Sequence, residues 1–194
     1  MARPFALAQL NPLAHALEEI AAALRNAGTP FMVIGGIAVL IWGEPRTTQD
    51  IDVVVSIPDD ERLPAFLASV RSRLSPLPED PIAFLRETHV LPVMTLSGVR
   101  ADLIWAGIPF EEQAIKRAVV RQLGTNELPV CTPEDLIVLK LASTRARDRE
   151  DVEGVIGRQA SSLDRAYLDP LARSLSEALE QPEILRDYLR LIGR

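Results

Sequence analysis

Two aspartates separated by a single residue, Asp50 and Asp52, are the residues of this sequence best suited to bind a metal ion. They lie in a run that predicts a β-strand over residues 50–55, where side chains two positions apart project from the same face. Two carboxylates held side by side repel each other unless a cation or a proton neutralises them. A hard divalent ion such as Mg²⁺, which prefers oxygen ligands, is the usual partner. The alternative is a polar strand end that is solvated at a turn.

A pair of glycines, Gly35 and Gly36, precedes the aspartates with thirteen residues in between. The glycines follow a short apolar run, 31–34, that is typical of a buried strand, and come directly before a predicted helix over 37–42. Such a turn offers a phosphate the backbone N–H groups of a helix start and no side-chain bulk. The alternative is that the glycines only permit a tight turn. Metal-binding carboxylates and a phosphate-binding turn are together the components of nucleotidyl transfer.

This chemistry requires a third carboxylate on a neighbouring strand, and Asp102 is the candidate. Residues 88–96 and 99–105 are rich in strand-forming types and are separated by a Ser-Gly turn, which predicts an antiparallel hairpin. Apolar residues of the second strand alternate onto one face and leave Asp102 on the other. An acid in an apolar strand needs a partner. A salt bridge with Arg100 or Arg46 is therefore the alternative to a metal.

The glycine pair, the spacer and Asp50-Ile51-Asp52 together resemble the signature of the nucleotidyltransferase (polymerase-β-like) superfamily. The fuller string from Ile34 to Asp52 is most similar to its minimal prokaryotic branch, which includes the AbiEii-type toxins. A second string resembles the helical motif that follows the core in that branch: Pro133-Glu134-Asp135-Leu136, Lys140-Leu141, Arg147-Asp148 and Asp151. The resemblance extends over roughly residues 15–160.

The resemblance implies transfer of a nucleotidyl group from an NTP to an acceptor hydroxyl. It implies that Asp50, Asp52 and Asp102 hold Mg²⁺, as two ions, with Mn²⁺ as the alternative metal. In the toxin branch the acceptor is often tRNA, and a partner antitoxin is encoded alongside. In other branches the acceptor is an aminoglycoside or a protein hydroxyl. A module of the same fold that binds nucleotide or a partner without turnover is the non-enzymatic alternative.

The resemblance further implies that Gly35 and Gly36 hold the triphosphate and that Lys140 reaches it from the helical half. Many members have serine in place of the second glycine, and its hydroxyl helps bind phosphate. With Gly36 in that place, backbone N–H groups must make the contact. Arg46 either binds the triphosphate or pairs with the metal-binding acids in the nucleotide-free protein. Thr48 is a further nucleotide-binding candidate through its hydroxyl.

Lysine is scarce in this chain, since only Lys116 and Lys140 occur among 21 basic residues. Lys116 lies beside an arginine in an amphipathic segment, which is typical of a solvated surface. Lys140 lies on the edge of an apolar helix, where it either serves the site or extends its amine to solvent. The charged run after it contains Asp148 and Asp151. Either both acids lie on a solvated helix face with weak ion pairs, or one of them orients Lys140.

The overall composition is that of a globular protein, with 194 residues, 47% hydrophobic residues and a net charge of −6. The negative charge argues against coating nucleic acid by bulk charge but leaves room for a local basic patch. A single cysteine, Cys131, excludes a disulfide framework. The longest apolar run, 31–42, is too short to span a bilayer. We therefore expect a cytoplasmic protein with no membrane partner.

The pattern along the chain predicts an α/β half over residues 1–130 and a helical portion over 131–194. The resemblance implies that the first half is an α+β fold of the α/β-sandwich type, in which a small mixed β-sheet, the nucleotidyltransferase core, is flanked by helices. The helical portion is either a second domain or a continuation of the core. Helix starts are predicted at Asn11-Pro12, at 132–133, at 169–170 and at 181–182, where a capping residue or glutamine precedes proline.

Overall fold

A computed structural model describes residues 5–124, 126–143 and 145–193, with the backbone alone for residues 5–11. The chain divides into two compact units. The first comprises the residues up to 36 together with 48–131, and the second comprises 37–47 together with 132–194. The segment 37–47, which the sequence interpretation assigned to the core, thus groups with the helical half.

A mixed sheet is the centre of the first unit. Within the described residues it has seven strands in the order β3-β4-β5-β2-β1-β7-β6. The strands are β1 (Phe31–Val33), β2 (Ile51–Val55), β3 (Leu74–Pro76), β4 (Val90–Thr95), β5 (Arg100–Trp105), β6 (Val119–Leu123) and β7 (Asn126–Val130). Strand β2 pairs antiparallel with β1 and parallel with β5. Strands β4 and β5 form the predicted antiparallel hairpin, which is confirmed.

The helices alternate with the strands in the first unit and follow one another in the second. They are α1 (Phe5–Asn26), α2 (Gly35–Trp42), α3 (Leu63–Arg71), α4 (Pro81–Thr88), α5 (Pro109–Arg117), α6 (Pro133–Leu141), α7 (Ala146–Gln159), α8 (Arg165–Ala178) and α9 (Pro182–Ile192). This mixed sheet with flanking helices and a helical C-terminal part confirms the predicted fold class. None of the described helices has both the length and the apolar character needed to cross a membrane.

Buried apolar residues of the strands form the core of the first unit. In β2, Ile51, Val53, Val54 and Val55 are at most 1% exposed. In β5, buried residues alternate with partly exposed ones, because Ala101 and Leu103 are buried and the residue between them is not. This alternation fixes which face of the sheet carries the polar side chains.

Two of the predicted helix starts are wrong. Helix α1 begins at Phe5 and runs through Pro12, and α8 begins at Arg165 and runs through Pro170. Proline removes one hydrogen bond from a helix but has a φ angle that suits it. In α8 the Asp164 side chain accepts the N–H of Tyr167 at 3.1 Å, and this cap outweighs the proline.

The sequence interpretation also missed elements between residues 74 and 130. Strand β3 and helix α4 were not predicted, although Asp80 before Pro81 is a capping signal, and its carboxylate accepts the N–H of Ala83 at 3.0 Å. One strand was expected over 120–130, and the structure has the hairpin β6–β7. Gly124, with φ +65°, allows the tight turn that divides it.

Candidate active site

Asp52 and Asp102 lie side by side on the central parallel strands. The two residues are direct register partners of β2 and β5. Their chain neighbours Ile51, Val53 and Leu103 are buried, so both carboxylates lie on the opposite, half-exposed face. The structure therefore brings together two of the three predicted metal ligands. The sequence predicted that they lie on two strands but did not give the register that pairs them.

Gly35, the first residue of α2, lies against the Asp52 carboxylate. A Cβ at this position would overlap Asp52 Oδ2 and stand 2.7 Å from its Cγ. Gly35 also has φ +60°, a conformation that side-chain-bearing residues rarely adopt. The backbone is tied at the same place, because the N–H of Ile34 donates to the carbonyl oxygen of Asp52 at 2.9 Å. The predicted phosphate turn and metal-binding strand are thus in contact.

Gly36 and Thr48 form a second close contact at this turn. A Cβ on Gly36 would overlap Thr48 Oγ1. The Thr48 hydroxyl donates to the carbonyl oxygen of Asp50 at 3.1 Å. Four of the predicted site residues, the two glycines, Thr48 and Asp52, therefore meet where α2 begins.

The third predicted ligand, Asp50, is exposed and directly precedes β2. Asp102 Oδ1 accepts a 3.3 Å ion-pair contact from Arg100 Nη2, which is the alternative that the sequence left open. Within the described parts of the chain, no three Asp, Glu, His or Cys side chains are grouped closely enough to hold a metal ion. The carboxylate oxygens present suit Mg²⁺, and the metal assignment stays a prediction.

Lys140 and Arg46 both bind the carboxylate of Asp151, in the second unit. Lys140 Nζ lies 2.8 Å from Asp151 Oδ2 and 2.5 Å from Asp148 Oδ1. Arg46 donates to both oxygens of Asp151, from Nε at 2.6 Å and from Nη2 at 2.8 Å. Arg145 Nε completes the cluster 2.6 Å from Asp148 Oδ2. We call these five residues the ion cluster.

The ion cluster differs from the solvated helix face that was one expectation for residues 145–151. Asp148 and Asp151 are 2% and 4% exposed, and Lys140 is 8% exposed. Both acids orient the lysine, where the sequence interpretation expected one. Arg46 makes a bidentate pair with Asp151, a partner that the sequence interpretation did not consider for it. Its assignment to the triphosphate stays untested.

The ion cluster lowers the pKa values of its acids. Burial alone would raise the pKa of Asp151, but hydrogen bonds from Arg46 and Lys140 outweigh it and bring the pKa below its usual value. Burial alone would also raise the pKa of Asp148. Hydrogen bonds from Lys140 and Arg145 outweigh this effect, and the pKa is lowered. Both acids are therefore ionised at neutral pH, as their cationic partners require.

The ion cluster also fixes an irregular segment, residues 44–47. Arg46 anchors its middle to Asp151, and Arg147 Nη2 donates to the carbonyl oxygen of Thr47 at 3.0 Å. From the sequence, Asp151 was expected either on a solvated helix face or as a partner of Lys140. The signal that was available is the recurrence of acids at positions 148 and 151 on one helix face, one turn apart.

The aromatic residues near the hairpin have structural contacts. Trp105 lies three positions after Asp102 and hence on the opposite face of β5, and its indole N–H donates to the carbonyl oxygen of Ile57 at 2.9 Å. His89 stacks on Trp105 with ring centroids 5.2 Å apart. These contacts hold both rings in place beside the hairpin.

A cavity of about 140 Å³ lies within the second unit. Lys140 contributes to its lining, with residues of α7 and α9. Four acids line it, namely Glu150, Glu153, Glu183 and Asp187, together with Arg149 and Arg190. With Lys140 engaged by the ion cluster, the remaining lining has more carboxylates than cations.

Comparison with known proteins identifies the family. A family model described as "Nucleotidyltransferase of unknown function (DUF6036)" matches residues 8–182. The chain belongs to this nucleotidyltransferase family. It is therefore an enzyme of the nucleotidyltransferase superfamily, as the glycine pair and the Asp-x-Asp string predicted. No curated protein matches the chain.

Solved structures similar to the chain have low sequence identity, and two of them, both of ANT(2'')-Ia, support the same fold. The solution structure of the antibiotic-resistance factor ANT(2'')-Ia is 17% identical, with a TM-score of 0.55, covering 91% of this chain and 97% of that one. Its crystal structure in complex with adenylyl-2''-tobramycin is 15% identical, with a TM-score of 0.51, covering 84% and 96%. The lincomycin-bound lincosamide adenylyltransferase LnuA is 12% identical, with a TM-score of 0.48, covering 73% and 94%.

Proposed function

We propose that this nucleotidyltransferase uses Mg²⁺, held by Asp50, Asp52 and Asp102, to transfer a nucleotidyl group from an NTP to an acceptor hydroxyl. The observation that supports this most is the register pairing of Asp52 with Asp102 beside Gly35. An oxygen-only donor set at the start of a helix suits a metal-bound phosphate chain. When bound, Mg²⁺ supplies charge neutralisation for the phosphates and the leaving group.

The protein residues take the remaining roles in this proposal. The backbone at Gly35 and Gly36 binds the triphosphate without side-chain obstruction. Asp102, on the open face of β5, accepts the proton of the attacking hydroxyl. The resemblance makes Lys140 and Arg46, both in the second unit, candidates for binding the nucleotide. The three cations of the ion cluster exceed its two carboxylates by one, which leaves positive charge for a polyanion.

The acceptor that we propose first is tRNA, with a cognate antitoxin protein as partner in the cytoplasm. This follows the resemblance to the toxin branch. The exposed arginines Arg145, Arg147 and Arg149, close in sequence to Lys140, support it, because such clusters bind nucleic-acid phosphates.

A polycationic small molecule is the second candidate acceptor. The acid-rich lining of the cavity in the second unit favours it, since carboxylates pair with ammonium groups. Adenylyl-2''-tobramycin, an adenylylated aminoglycoside, is bound in one of the structures with the same fold. A nucleotide-binding module without turnover is the remaining alternative.

The test is transfer of label from each of the four α-³²P-labelled NTPs, with Mg²⁺, to total tRNA or to tobramycin. Asp52→Asn should abolish transfer, while Asp60→Asn, an exposed acid, serves as the matched control. Label on tRNA alone supports the first acceptor, and label on tobramycin alone supports the second. Mg²⁺-dependent NTP binding without labelling would favour the silent module. Binding that survives Asp52→Asn and Asp50→Asn would contradict the metal assignment.

A further inference from the structure

The hydroxyl of Thr48 lies where a side chain at residue 36 would lie. A Cβ built on Gly36 would overlap Thr48 Oγ1 and stand 2.7 Å from Thr48 Cβ. The third nearest atom, Thr48 Cγ2, is 3.5 Å away, so no backbone atom of Thr48 is closer than that. The space beside the first turn of α2 is therefore filled from residue 48 and not from residue 36.

Thr48 is held in this position and is still accessible. Its hydroxyl donates to the carbonyl oxygen of Asp50 at 3.1 Å, and its side chain is half-buried, whereas Gly36 is buried. A hydroxyl has one proton and rotates freely about its C–O bond. Thr48 can therefore give that proton to another acceptor while its oxygen stays in place.

We infer that Thr48 supplies the hydroxyl donor to the triphosphate at the first turn of α2, and that residue 36 is glycine because Thr48 occupies its side-chain space. The inference rests on the proposed function, since it assigns one contact within that site. When phosphate binds, the Thr48 proton turns from the Asp50 carbonyl oxygen to a phosphate oxygen. No covalent bond forms or breaks in this step.

The first experiment measures binding of Mg²⁺-tripolyphosphate and of MgATP by calorimetry. Tripolyphosphate isolates the phosphate contact from any preference for a base. Thr48→Ala should weaken binding of both probes about tenfold, because it removes a hydrogen bond to a charged acceptor. Thr48→Ser, which keeps the hydroxyl, should bind nearly as the wild type does. Thr47→Ala, the exposed neighbouring threonine, is the control and should leave binding unchanged.

The second experiment moves the hydroxyl from residue 48 to residue 36. Gly36→Ser alone should lower Tm and weaken binding, since its side chain overlaps Thr48. Thr48→Gly alone should weaken binding about as much as Thr48→Ala does. The double variant Gly36→Ser/Thr48→Gly should recover most of the affinity, because the hydroxyl returns to the same space and the overlap is gone.

The outcomes separate this inference from the proposed function. Wild-type affinity in Thr48→Ala, or a folded double variant that recovers none of it, overturns the inference while the proposed function stands. If the wild type binds neither probe, the proposed function fails. In that case the proposed role of Thr48 as a hydrogen-bond donor to phosphate fails as well. The Tm of Gly36→Ser still tests whether residues 36 and 48 compete for the same space. An unchanged Tm in Gly36→Ser would show that residues 36 and 48 do not compete for that space.

Discussion

At the scale of single residues, the site depends on two glycines, because their lack of a side chain leaves space for other groups. The Asp52 carboxylate and the Thr48 hydroxyl occupy the spaces that side chains at residues 35 and 36 would fill. Glycine here does more than permit a turn. It allows a metal-ligand candidate and a hydroxyl from later in the chain to reach the start of α2.

Gly35→Ala should therefore remove Mg²⁺-dependent NTP binding and destabilise the fold. The residue has φ +60°, which costs a side-chain-bearing residue about 1–2 kcal/mol, and the new Cβ would displace the Asp52 carboxylate. Binding is measured by calorimetry and stability by urea unfolding. Gly98→Ala, which has φ +75° but open space around it, is the control for backbone strain. Equal NTP binding by both variants would contradict the role of Gly35.

Asp151 is the residue on which the ion cluster depends, since it binds both Arg46 and Lys140. Asp151→Asn should lower the free energy of unfolding by about 3 kcal/mol, because two cations lose a buried counter-charge. Glu150→Gln, an exposed neighbour on α7, should change it little. Urea unfolding at pH 7 measures both, and equal stability of the two variants would show that the cluster contributes nothing.

The same substitution should change how stability depends on pH. Because the folded-state pKa of Asp151 lies below its unfolded-state value, the unfolded chain binds more protons near pH 4. Its contribution is complete above about pH 5 and is lost as pH falls through the lowered folded-state pKa. Unfolding between pH 6 and pH 3 should show a steeper acid loss for the wild type than for Asp151→Asn. The same pH dependence of stability in the wild type and in Asp151→Asn would argue against an ionised Asp151 carboxylate paired with its cations.

At the scale of elements, the parallel pairing of β2 with β5 assembles the site. It converts aspartates 50 positions apart in sequence into direct neighbours, Asp52 and Asp102. Hydrophobic alternation predicted the exposed face of β5 correctly, because only one face of that strand is buried. The pairing itself rests on non-local hydrogen bonds, so sequence alone could not derive the register.

The ion pair at the start of β5 should compete with metal for Asp102. Arg100 is mostly exposed, so the pair is weak in itself. Arg100→Gln should lower the Mg²⁺ concentration for half-maximal NTP binding a few fold, since a competing cation is removed. Asp102→Asn should raise it at least about tenfold, because a metal-ligand oxygen loses its charge. A Mg²⁺ titration at fixed NTP measures both, and wild-type behaviour in Asp102→Asn would exclude it as a ligand.

Local sequence signals predicted some helix starts correctly and others wrongly. Proline at the first helical position located α6 and α9, and the same rule failed at Pro12 and Pro170, which lie inside helices. Proline marks a helix start only when no better cap lies upstream, and that depends on the packing of residues before it. Within the ion cluster, the pairing of Arg46 with Asp151 was missed, because the two residues are distant in sequence and neither shows its partner.

At the scale of the whole molecule, the chain crosses between its two units three times. The chain leaves the first unit immediately after the glycine pair and returns at Thr48, so eleven of the thirteen spacer residues belong to the helical unit. Composition gave no indication of this. The proposed pair of Mg²⁺ ions would also reduce the net charge from −6 to about −2, which weakens repulsion of a nucleic-acid acceptor.

The fragment 1–131 should therefore fail to fold as an independent domain. It contains the buried apolar residues of 37–42, such as Ile37 and Trp42, without the helical residues that belong to the same unit. It also lacks Gln159, whose side chain donates to the Trp42 carbonyl oxygen at 2.9 Å. Circular dichroism and urea unfolding should show no cooperative transition. A single sharp transition like that of the full chain would show that residues 1–131, with 37–47 among them, fold without residues 132–194.

The burial of Lys140 has a practical consequence for covalent labelling. Of the two lysines, Lys116 is exposed on α5, whereas the Lys140 amine is enclosed by Asp148 and Asp151. Of the two lysine side chains, an amine-reactive ester should therefore modify Lys116 in the native protein and spare Lys140, as peptide mapping of both sites would show. Loss of that selectivity in denaturant would report the opening of the second unit, with no engineered cysteine required.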